Sequence, residues 1–139
     1  MKPVVTSMRA LTMFILLLGA AAGTAAATRA TIQDLSARQF KQMLDHHATD
    51  TDIVLLDIRT PQEFQAGHIR GAVLINYYAS DFIDKLKALD REKTYLVYCR
   101  TGNRTGRSLP IFSRLGFQRV YHLETGISGW LREKYPVVR

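Results

Sequence analysis

The feature that most constrains the fold is a segment in which a strand pattern, a short polar loop and a helical pattern follow one another directly. Residues 93–98 are rich in β-branched and aromatic side chains, which is typical of a buried strand. From Thr105 onward, the apolar residues Leu109, Phe112 and Leu115 recur at helical spacing. The segment therefore predicts a strand–loop–helix unit, in which a helix carries the chain toward the next parallel strand.

The same alternation of strand and helix runs through the rest of the chain. Two capping boxes, Ser36 with Gln39 and Thr60 with Glu63, mark the starts of predicted helices. Further strand patterns occupy residues 53–58, 72–76 and 120–123, and Ile32 is a candidate edge-strand residue. We expect an α/β fold with a central, mostly parallel sheet and helices on both faces.

Two later helices are predicted from their apolar residues. The first spans residues 80–89 and is expected to turn four side chains inward, namely Phe82, Ile83, Leu86 and Leu89. The second spans residues 126–134 and is expected to bury Ile127, Trp130 and Leu131. These expectations fix which helix faces should contact the sheet.

Cys99, the only cysteine of the chain, lies where the predicted central strand ends. Ligands of open parallel sheets bind beyond the carboxyl ends of the strands. Gly102 and Asn103 tolerate the positive φ angles that a loop curling around one atom requires. The free amides at a helix start, together with the helix dipole, favour an anion in such a loop.

The basic residues near Cys99 also favour an anion in this loop. Arg100, Arg104 and Arg107 crowd the loop and the start of the helix. A lone cysteine is commonly an inert buried residue, but an inert cysteine belongs in an apolar run rather than beside this polar loop. The first candidate anion is therefore the Cys99 thiolate itself, acting as a nucleophile.

The first 27 residues have the pattern of a secretory signal peptide. Residues 1–9 include the basic residues Lys2 and Arg9 and no acidic residue. Residues 10–22 are almost wholly apolar, and residues 25–27 offer an Ala-x-Ala cleavage site. We expect residues 28–139 to form a single mature domain, exported to the periplasm and without stable insertion in the membrane. An uncleaved segment that anchors the domain to the membrane is the alternative.

The formal charge of the whole chain is +7, and loss of Lys2 and Arg9 would lower it by two to +5. A basic surface suggests nucleic acid or anionic lipid as a partner. However, an exported protein rarely meets nucleic acid, and no Lys/Arg run with interleaved aromatic residues is present. We expect no nucleic-acid partner, and the single cysteine excludes an intramolecular disulfide.

Three segments carry recognisable patterns in combination. Residues 57–72 contain Asp-x-Arg, then Glu-Phe, then Gly-His-Ile-x-Gly-Ala; residues 99–104 read Cys-Arg-Thr-Gly-Asn-Arg. The third segment, residues 116–130, holds Gly-Phe at its start and Gly-Trp at its end. Together they resemble the rhodanese family of sulfurtransferases, in its small exported single-domain form.

The resemblance implies a central parallel sheet of five strands and a thiosulfate:cyanide type of sulfurtransferase. It implies that Cys99 is the catalytic residue and carries a persulfide. The loop residues that would bind the substrate are Arg100, Thr101, Gly102, Asn103, Arg104 and Thr105. The donor would be a small sulfur anion such as thiosulfate, the acceptor a thiol or cyanide, and neither a metal nor an organic cofactor would be needed. The oligomeric state stays open.

Two other functions are weighed against this one. A persulfide carrier or thiol-redox sensor with little turnover would share the cysteine loop but would not need its basic residues. A phosphatase or arsenate reductase is the third possibility. The related phosphatases on this fold carry an arginine six places after the cysteine, where this chain has Thr105. The shorter loop suits one sulfur atom better than a phosphoryl group.

Several polar side chains outside the loop are assigned structural roles. Arg59 is expected to form an ion pair with Asp57 or Glu63, because partly buried charges need partners. His68 is interpreted as a structural hydrogen-bonding residue, and Trp130 as part of the core.

Overall fold

The computed structural model describes residues 30–139, so the predicted signal peptide lies outside the described residues. Five strands and five helices alternate along this part of the chain. Their bounds are β1 Thr31–Leu35, α1 Ala37–His46, β2 Ile53–Asp57, α2 Pro61–Ala66, β3 Val73–Leu74, α3 Phe82–Lys87, β4 Thr94–Tyr98, α4 Asn103–Arg114, β5 Arg119–Leu123 and α5 Gly126–Arg132. No helix within residues 30–139 has the length and apolar character that crossing a bilayer requires.

The strands form one five-stranded sheet in the order β1-β5-β4-β2-β3, and every pairing is parallel. The predicted α/β fold and its five-stranded parallel sheet are therefore confirmed. Helices α3 and α4 contribute Phe82, Leu86 and Phe112 to the core on one face. Helices α1 and α5 contribute Phe40 and Trp130 to the core on the other face.

The middle strand, β4, is buried on both faces, which explains its nearly continuous apolar sequence. Tyr95, Val97 and Cys99 belong to the core under α3 and α4. Leu96 and Tyr98 belong to the core under α1 and α5, as the period of two along a strand requires. This alternation places the Cys99 side chain on the face that α4 covers.

Both capping boxes are confirmed. Ser36 pairs reciprocally with Gln39 at the start of α1, and Thr60 pairs with Glu63 at the start of α2. In contrast, α4 begins at Asn103 rather than at Thr105. The apolar pattern missed its first two residues because they are polar and give no periodic signal.

Two side chains that were expected in the core are exposed. Ile83 is 45% exposed and Leu131 is 50% exposed, so the prediction of their burial is wrong. Each one directly follows a larger aromatic residue, Phe82 or Trp130, which occupies the core position. Consecutive helical residues point in different directions, so only one of each pair can face the sheet. The third strand is also shorter than predicted, with only two residues.

A buried ion pair fixes the turn between β2 and α2. Asp57 is fully buried and Arg59 is 5% exposed. The Arg59 guanidinium donates to the Asp57 carboxylate at 2.6 Å and to the Gly67 carbonyl at 2.8 Å. Arg59 therefore pairs with Asp57, which was one of its two expected partners. The pair leaves Glu63, on the adjoining helix, available for a different contact.

Candidate active site

Cys99 directly follows β4, the central strand, at the carboxyl edge of the sheet. A loop of three residues separates it from the first residue of α4. Gly102 closes this loop with a φ of 95°, in the left-handed region that favours glycine. An added side chain at Gly102 would overlap the Glu124 carbonyl, so glycine is required there for a second reason.

Polar hydrogens of the loop and of α4 surround the sulfur. The Gly102 amide donates to Cys99 Sγ at 3.2 Å, and Thr105 Oγ1 lies 3.6 Å from the same atom. Burial raises the pKa of the Cys99 thiol, because Cys99 is only 1% exposed. Hydrogen bonds from Thr105, Thr101 and Gly102 outweigh this effect, so the net pKa lies below that of free cysteine. The site therefore favours a thiolate, although it is almost completely enclosed.

The hydroxyl of Thr105 has two acceptors within reach. It donates to the Gly102 carbonyl at 2.9 Å and also lies beside Cys99 Sγ. Thr105 is fully buried, so water does not compete for this hydrogen. A thiolate is a stronger acceptor than a thiol, and ionisation of Cys99 would therefore draw the hydroxyl toward the sulfur.

Replacing Thr105 by valine should make Cys99 harder to ionise. The pH midpoint of Cys99 alkylation by iodoacetamide is expected to rise by about one pH unit, the value of one hydrogen bond to a charged group. Thr105→Ser retains the hydroxyl and serves as the matched control, with a midpoint close to that of the parent chain. An unchanged midpoint in Thr105→Val would contradict the role assigned to this hydroxyl.

Arg104, which is predicted to bind the substrate, forms an ion pair with the carboxylate of Glu63. Its two terminal nitrogens donate to the two oxygens of Glu63, each at 2.7 Å. The hydrogen bonds from Arg104 hold the pKa of Glu63 at about 2. The guanidinium also lies over the ring of Tyr78, 5.6 Å from its centroid. A substrate anion must therefore compete with Glu63, a partner that sequence reasoning missed because it lies 41 residues away.

The other predicted loop residues differ in exposure. Arg100, Thr101 and Asn103 are exposed at the protein surface, whereas Gly102 and Thr105 are buried beside the sulfur. Backbone amides of Thr101, Gly102 and Thr105 thus face Cys99, while several side chains of this segment face solvent. Arg107 is likewise exposed.

The start of α5 contacts residues 99–102, which we call the active loop, through backbone hydrogen bonds. The Ile127 amide donates to the Cys99 carbonyl at 2.9 Å, and the Ser128 amide donates to the Arg100 carbonyl at 3.0 Å. Gly126 packs directly on the backbone of Arg100. These contacts use helix-start amides that have no helical partner. They were not predicted, because they involve the backbone and leave no mark on residue type.

The structural roles predicted for two other residues are confirmed. His68 Nδ1 lies 3.0 Å from the Phe64 carbonyl, and its ring stacks on the Phe64 ring. Trp130 is 2% exposed and donates to the Pro136 carbonyl at 2.9 Å. Within residues 30–139, no group of three or more His, Cys, Asp or Glu side chains is arranged to hold a metal ion.

Comparison with known proteins agrees with this geometry. The model of the Rhodanese-like domain family matches residues 36–133. The chain is 35% identical over 107 residues to the thiosulfate sulfurtransferase GlpE of Pseudomonas aeruginosa, and the match covers 76% of this chain and 89% of that protein. It is 31% identical to the probable adenylyltransferase/sulfurtransferase MoeZ of Mycobacterium tuberculosis, across 80% of this chain but only 28% of that longer protein.

A solved structure gives the same result for the fold. The crystal structure of a rhodanese-related protein from Thermoplasma volcanium superposes with a TM-score of 0.63 at 33% sequence identity. The superposition covers 76% of this chain and 97% of that chain. On the sheet order, the cysteine loop and these matches, the chain belongs to the rhodanese-like domain family.

Proposed function

We propose that the protein is a thiosulfate-type sulfurtransferase that carries the transferred sulfur as a persulfide on Cys99. One observation carries the proposal: the sulfur of Cys99 lies among amide and hydroxyl donors that lower its pKa, at the carboxyl edge of the central strand. Sulfurtransferase relatives at 35% identity support the same reaction class.

In the first step, the Cys99 thiolate attacks the outer sulfur of thiosulfate. A new sulfur–sulfur bond forms to Cys99, the bond to the inner sulfur breaks, and sulfite departs with its electron pair. The persulfide that remains on Cys99 is anionic. The Gly102 amide and the Thr105 hydroxyl contact Cys99 Sγ, so they stabilise the thiolate that attacks and the thiolate that the acceptor step regenerates.

In the second step, a thiophilic acceptor removes the outer sulfur and regenerates the thiolate. Cyanide would leave as thiocyanate, and a thiolate would leave as a persulfide. The donor product departs before the acceptor binds, so the kinetics should be ping-pong. The near-complete burial of Cys99 restricts its partners to those that can present one narrow sulfur or carbon atom.

Mass spectrometry of the purified protein after thiosulfate treatment tests the first step. The expected result is a gain of one sulfur atom, confined to the peptide that contains Cys99 and accompanied by one equivalent of sulfite. Addition of cyanide should remove the sulfur and release thiocyanate. Absence of the sulfur adduct at Cys99 would contradict the proposal.

A low-turnover persulfide carrier is the second candidate, and one observation favours it. Glu63 neutralises Arg104, so the loop offers a dianion less positive charge than its sequence suggests. A carrier would be loaded by a partner and would not need that charge. The amount of thiocyanate released per protein molecule separates the two functions. With excess thiosulfate and cyanide, an enzyme releases many equivalents, whereas a carrier releases about one.

Arg104 and Glu63 should have opposite effects on the KM for thiosulfate. Arg104→Ala removes a cation and leaves a carboxylate beside the loop, so KM should rise about fivefold or more. Glu63→Gln keeps the helix-capping geometry and frees the guanidinium, so KM should fall. Arg114→Ala, which removes an exposed charge at the far end of α4, is the control for net charge. Equal KM values in all variants would exclude Arg104 from donor binding.

We also propose that the domain acts outside the cytoplasm, with residues 1–27 directing export. Cell fractionation together with N-terminal sequencing of the purified protein tests this. A mature chain that starts at Thr28 in the periplasmic fraction is the expected result. A full-length chain in the membrane fraction would favour the uncleaved anchor instead.

A further inference from the structure

Tyr78 is an exposed aromatic residue at the carboxyl edge of the sheet, and the reaction described above gives it no part. It lies in the connection between β3 and α3 and is 67% exposed. Its ring contacts Arg104, whose guanidinium carbon Cζ lies over the ring at 5.6 Å from the centroid. A cation over the face of an aromatic ring is attracted by the quadrupole of that ring. Tyr78 is therefore a second partner of Arg104, besides Glu63.

The backbone that carries Tyr78 is fixed to the sheet. The Tyr78 amide donates to Asn76 Oδ1 at 3.1 Å. The Tyr77 amide donates to the Ile58 carbonyl at 3.2 Å, directly after β2. The Tyr77 ring packs edge-on against the rings of Tyr78 and Phe82, with centroid distances of 5.3 Å and 5.2 Å. The Tyr78 ring is therefore held at a defined place, although most of its surface meets solvent.

Arg104 is the residue through which Tyr78 is connected to the reacting sulfur. It is the second residue of α4 and directly precedes Thr105, whose hydroxyl lies 3.6 Å from Cys99 Sγ. Hydrogen bonds to Glu63 raise the pKa of Arg104, and the negative charge of Cys99 adds to this effect. An anion that approaches Cys99 therefore enters the field of this guanidinium.

The two partners of Arg104 use different parts of its guanidinium. Glu63 accepts hydrogen bonds from the two terminal nitrogens, so it occupies one edge of the group. The ring of Tyr78 attracts the charge of the whole group and needs none of these hydrogens. An anion that displaces Glu63 therefore exchanges the edge contact and leaves the ring contact intact. Without the ring, the released side chain would regain its rotamer freedom.

We propose that Tyr78 is a positioning residue that keeps the Arg104 guanidinium beside Cys99 while its acceptor changes from Glu63 to the anionic sulfur donor. The inference rests on the proposed function in one respect, namely that the donor is an anion bound by Arg104. The role belongs to the aromatic face of Tyr78 rather than to its hydroxyl or its volume. Phenylalanine and leucine at this position separate these three properties.

The test compares the alkylation of Cys99 by iodoacetate and by iodoacetamide, and it needs no sulfur transfer. Both reagents react with the same thiolate and are similar in size, but only iodoacetate carries a negative charge. The ratio of the two rates therefore reports the positive charge beside Cys99, and changes in the pKa of the thiol cancel. Tyr78→Leu should lower the ratio of iodoacetate to iodoacetamide rates about two- to fivefold, the strength of one exposed cation–π contact. Tyr78→Phe keeps the aromatic face and should keep the parental ratio.

Two backgrounds show whether the effect of Tyr78 passes through Arg104. Glu63→Gln weakens the edge contact, so Tyr78→Leu should lower the ratio further in that background than in the parent chain. In the Arg104→Ala background, Tyr78→Leu should leave the ratio unchanged, because the ring has lost the guanidinium. Val73→Ala, at another exposed apolar residue that is 52% exposed, is the matched control and should keep the parental ratio.

Three outcomes would overturn the proposal. The first is a parental ratio in Tyr78→Leu, a variant whose fold should survive because Tyr78 is exposed and whose melting temperature checks this. The second is a ratio in Tyr78→Phe as low as that in Tyr78→Leu, which would assign the effect to the hydroxyl. The third is an equal decrease from Tyr78→Leu with and without Arg104. Absence of sulfur transfer by the parent chain, with the expected ratios, would instead contradict the proposed function and leave the contact of Tyr78 with Arg104 standing.

Discussion

Replacing Cys99 by serine is expected to lower the turnover of thiosulfate by at least about a thousandfold, because no other residue of the chain can hold a persulfide. A serine hydroxyl is a poor nucleophile at neutral pH and has no base beside it in the loop. The sulfur adduct seen by mass spectrometry should disappear in parallel. The measurement is thiocyanate release under saturating thiosulfate and cyanide.

The fold of the Cys99→Ser variant should survive. A serine hydroxyl is close in size to the thiol, and it meets Thr105 Oγ1 and the Gly102 amide, which are suitable hydrogen-bond partners. The melting temperature of the variant therefore serves as the control for misfolding. Thiocyanate release by a folded Cys99→Ser protein at the parental rate would exclude the persulfide mechanism.

The sequence was informative where residue type and local spacing carry the signal. The sequence correctly placed Cys99 at the carboxyl edge of a parallel sheet, and its role as a nucleophile stays a prediction. The capping boxes at Ser36 and Thr60 located two helix starts to the residue. Each of these predictions involves groups within a few residues of one another.

Contacts between segments that lie far apart in the sequence could not be predicted in this way. Glu63 had a local role as the third residue of a capping box, and nothing in its neighbourhood indicated a second contact with Arg104. His122 reads as one polar residue in a strand, and its partner Asp34 is 88 residues away. Both contacts depend on strand order, and a chain of alternating strands and helices is compatible with many orders.

The donors around the sulfur are mainly backbone amides, which explains how far the sequence alone could describe the site. Gly102 and Asn103 were both expected to supply a positive φ; Gly102 does so, whereas Asn103 does not, because it is the first residue of α4. The amides that favour the thiolate come from Thr101, Gly102 and Thr105, whose side chains do not determine where an N–H points. We expect the direction of these amides to depend on the support behind the loop, which comes from the start of α5 and from the Glu124 carbonyl that follows β5. Substitutions in that support should therefore disable a site whose own residues are intact.

Gly126→Ala is the substitution expected to show this most strongly. Gly126 has a φ of 58°, and an added Cβ would overlap the backbone of Arg100 and the amide nitrogen of Thr101. Backbone atoms cannot rotate away as a side chain can, so the active loop must move or α5 must separate from it. We expect a loss of about 2–5 kcal/mol in the free energy of unfolding, the sum of left-handed strain and overpacking. The kcat/KM for thiosulfate should fall about a hundredfold, because the loop donors no longer meet the sulfur.

Gly116→Ala separates the cost of the backbone angle from the cost of the contact. Gly116 has a φ of 84°, similarly left-handed, but open space surrounds the position of its missing Cβ. Its alanine variant should lose only about 1–2 kcal/mol, the cost of the left-handed conformation, and should keep the parental kcat/KM. Chemical denaturation and steady-state kinetics of the two variants provide the comparison. Equal losses of stability with unchanged kinetics in both would show that α5 does not set the loop geometry, and the donors would then owe their placement to the loop and α4 alone.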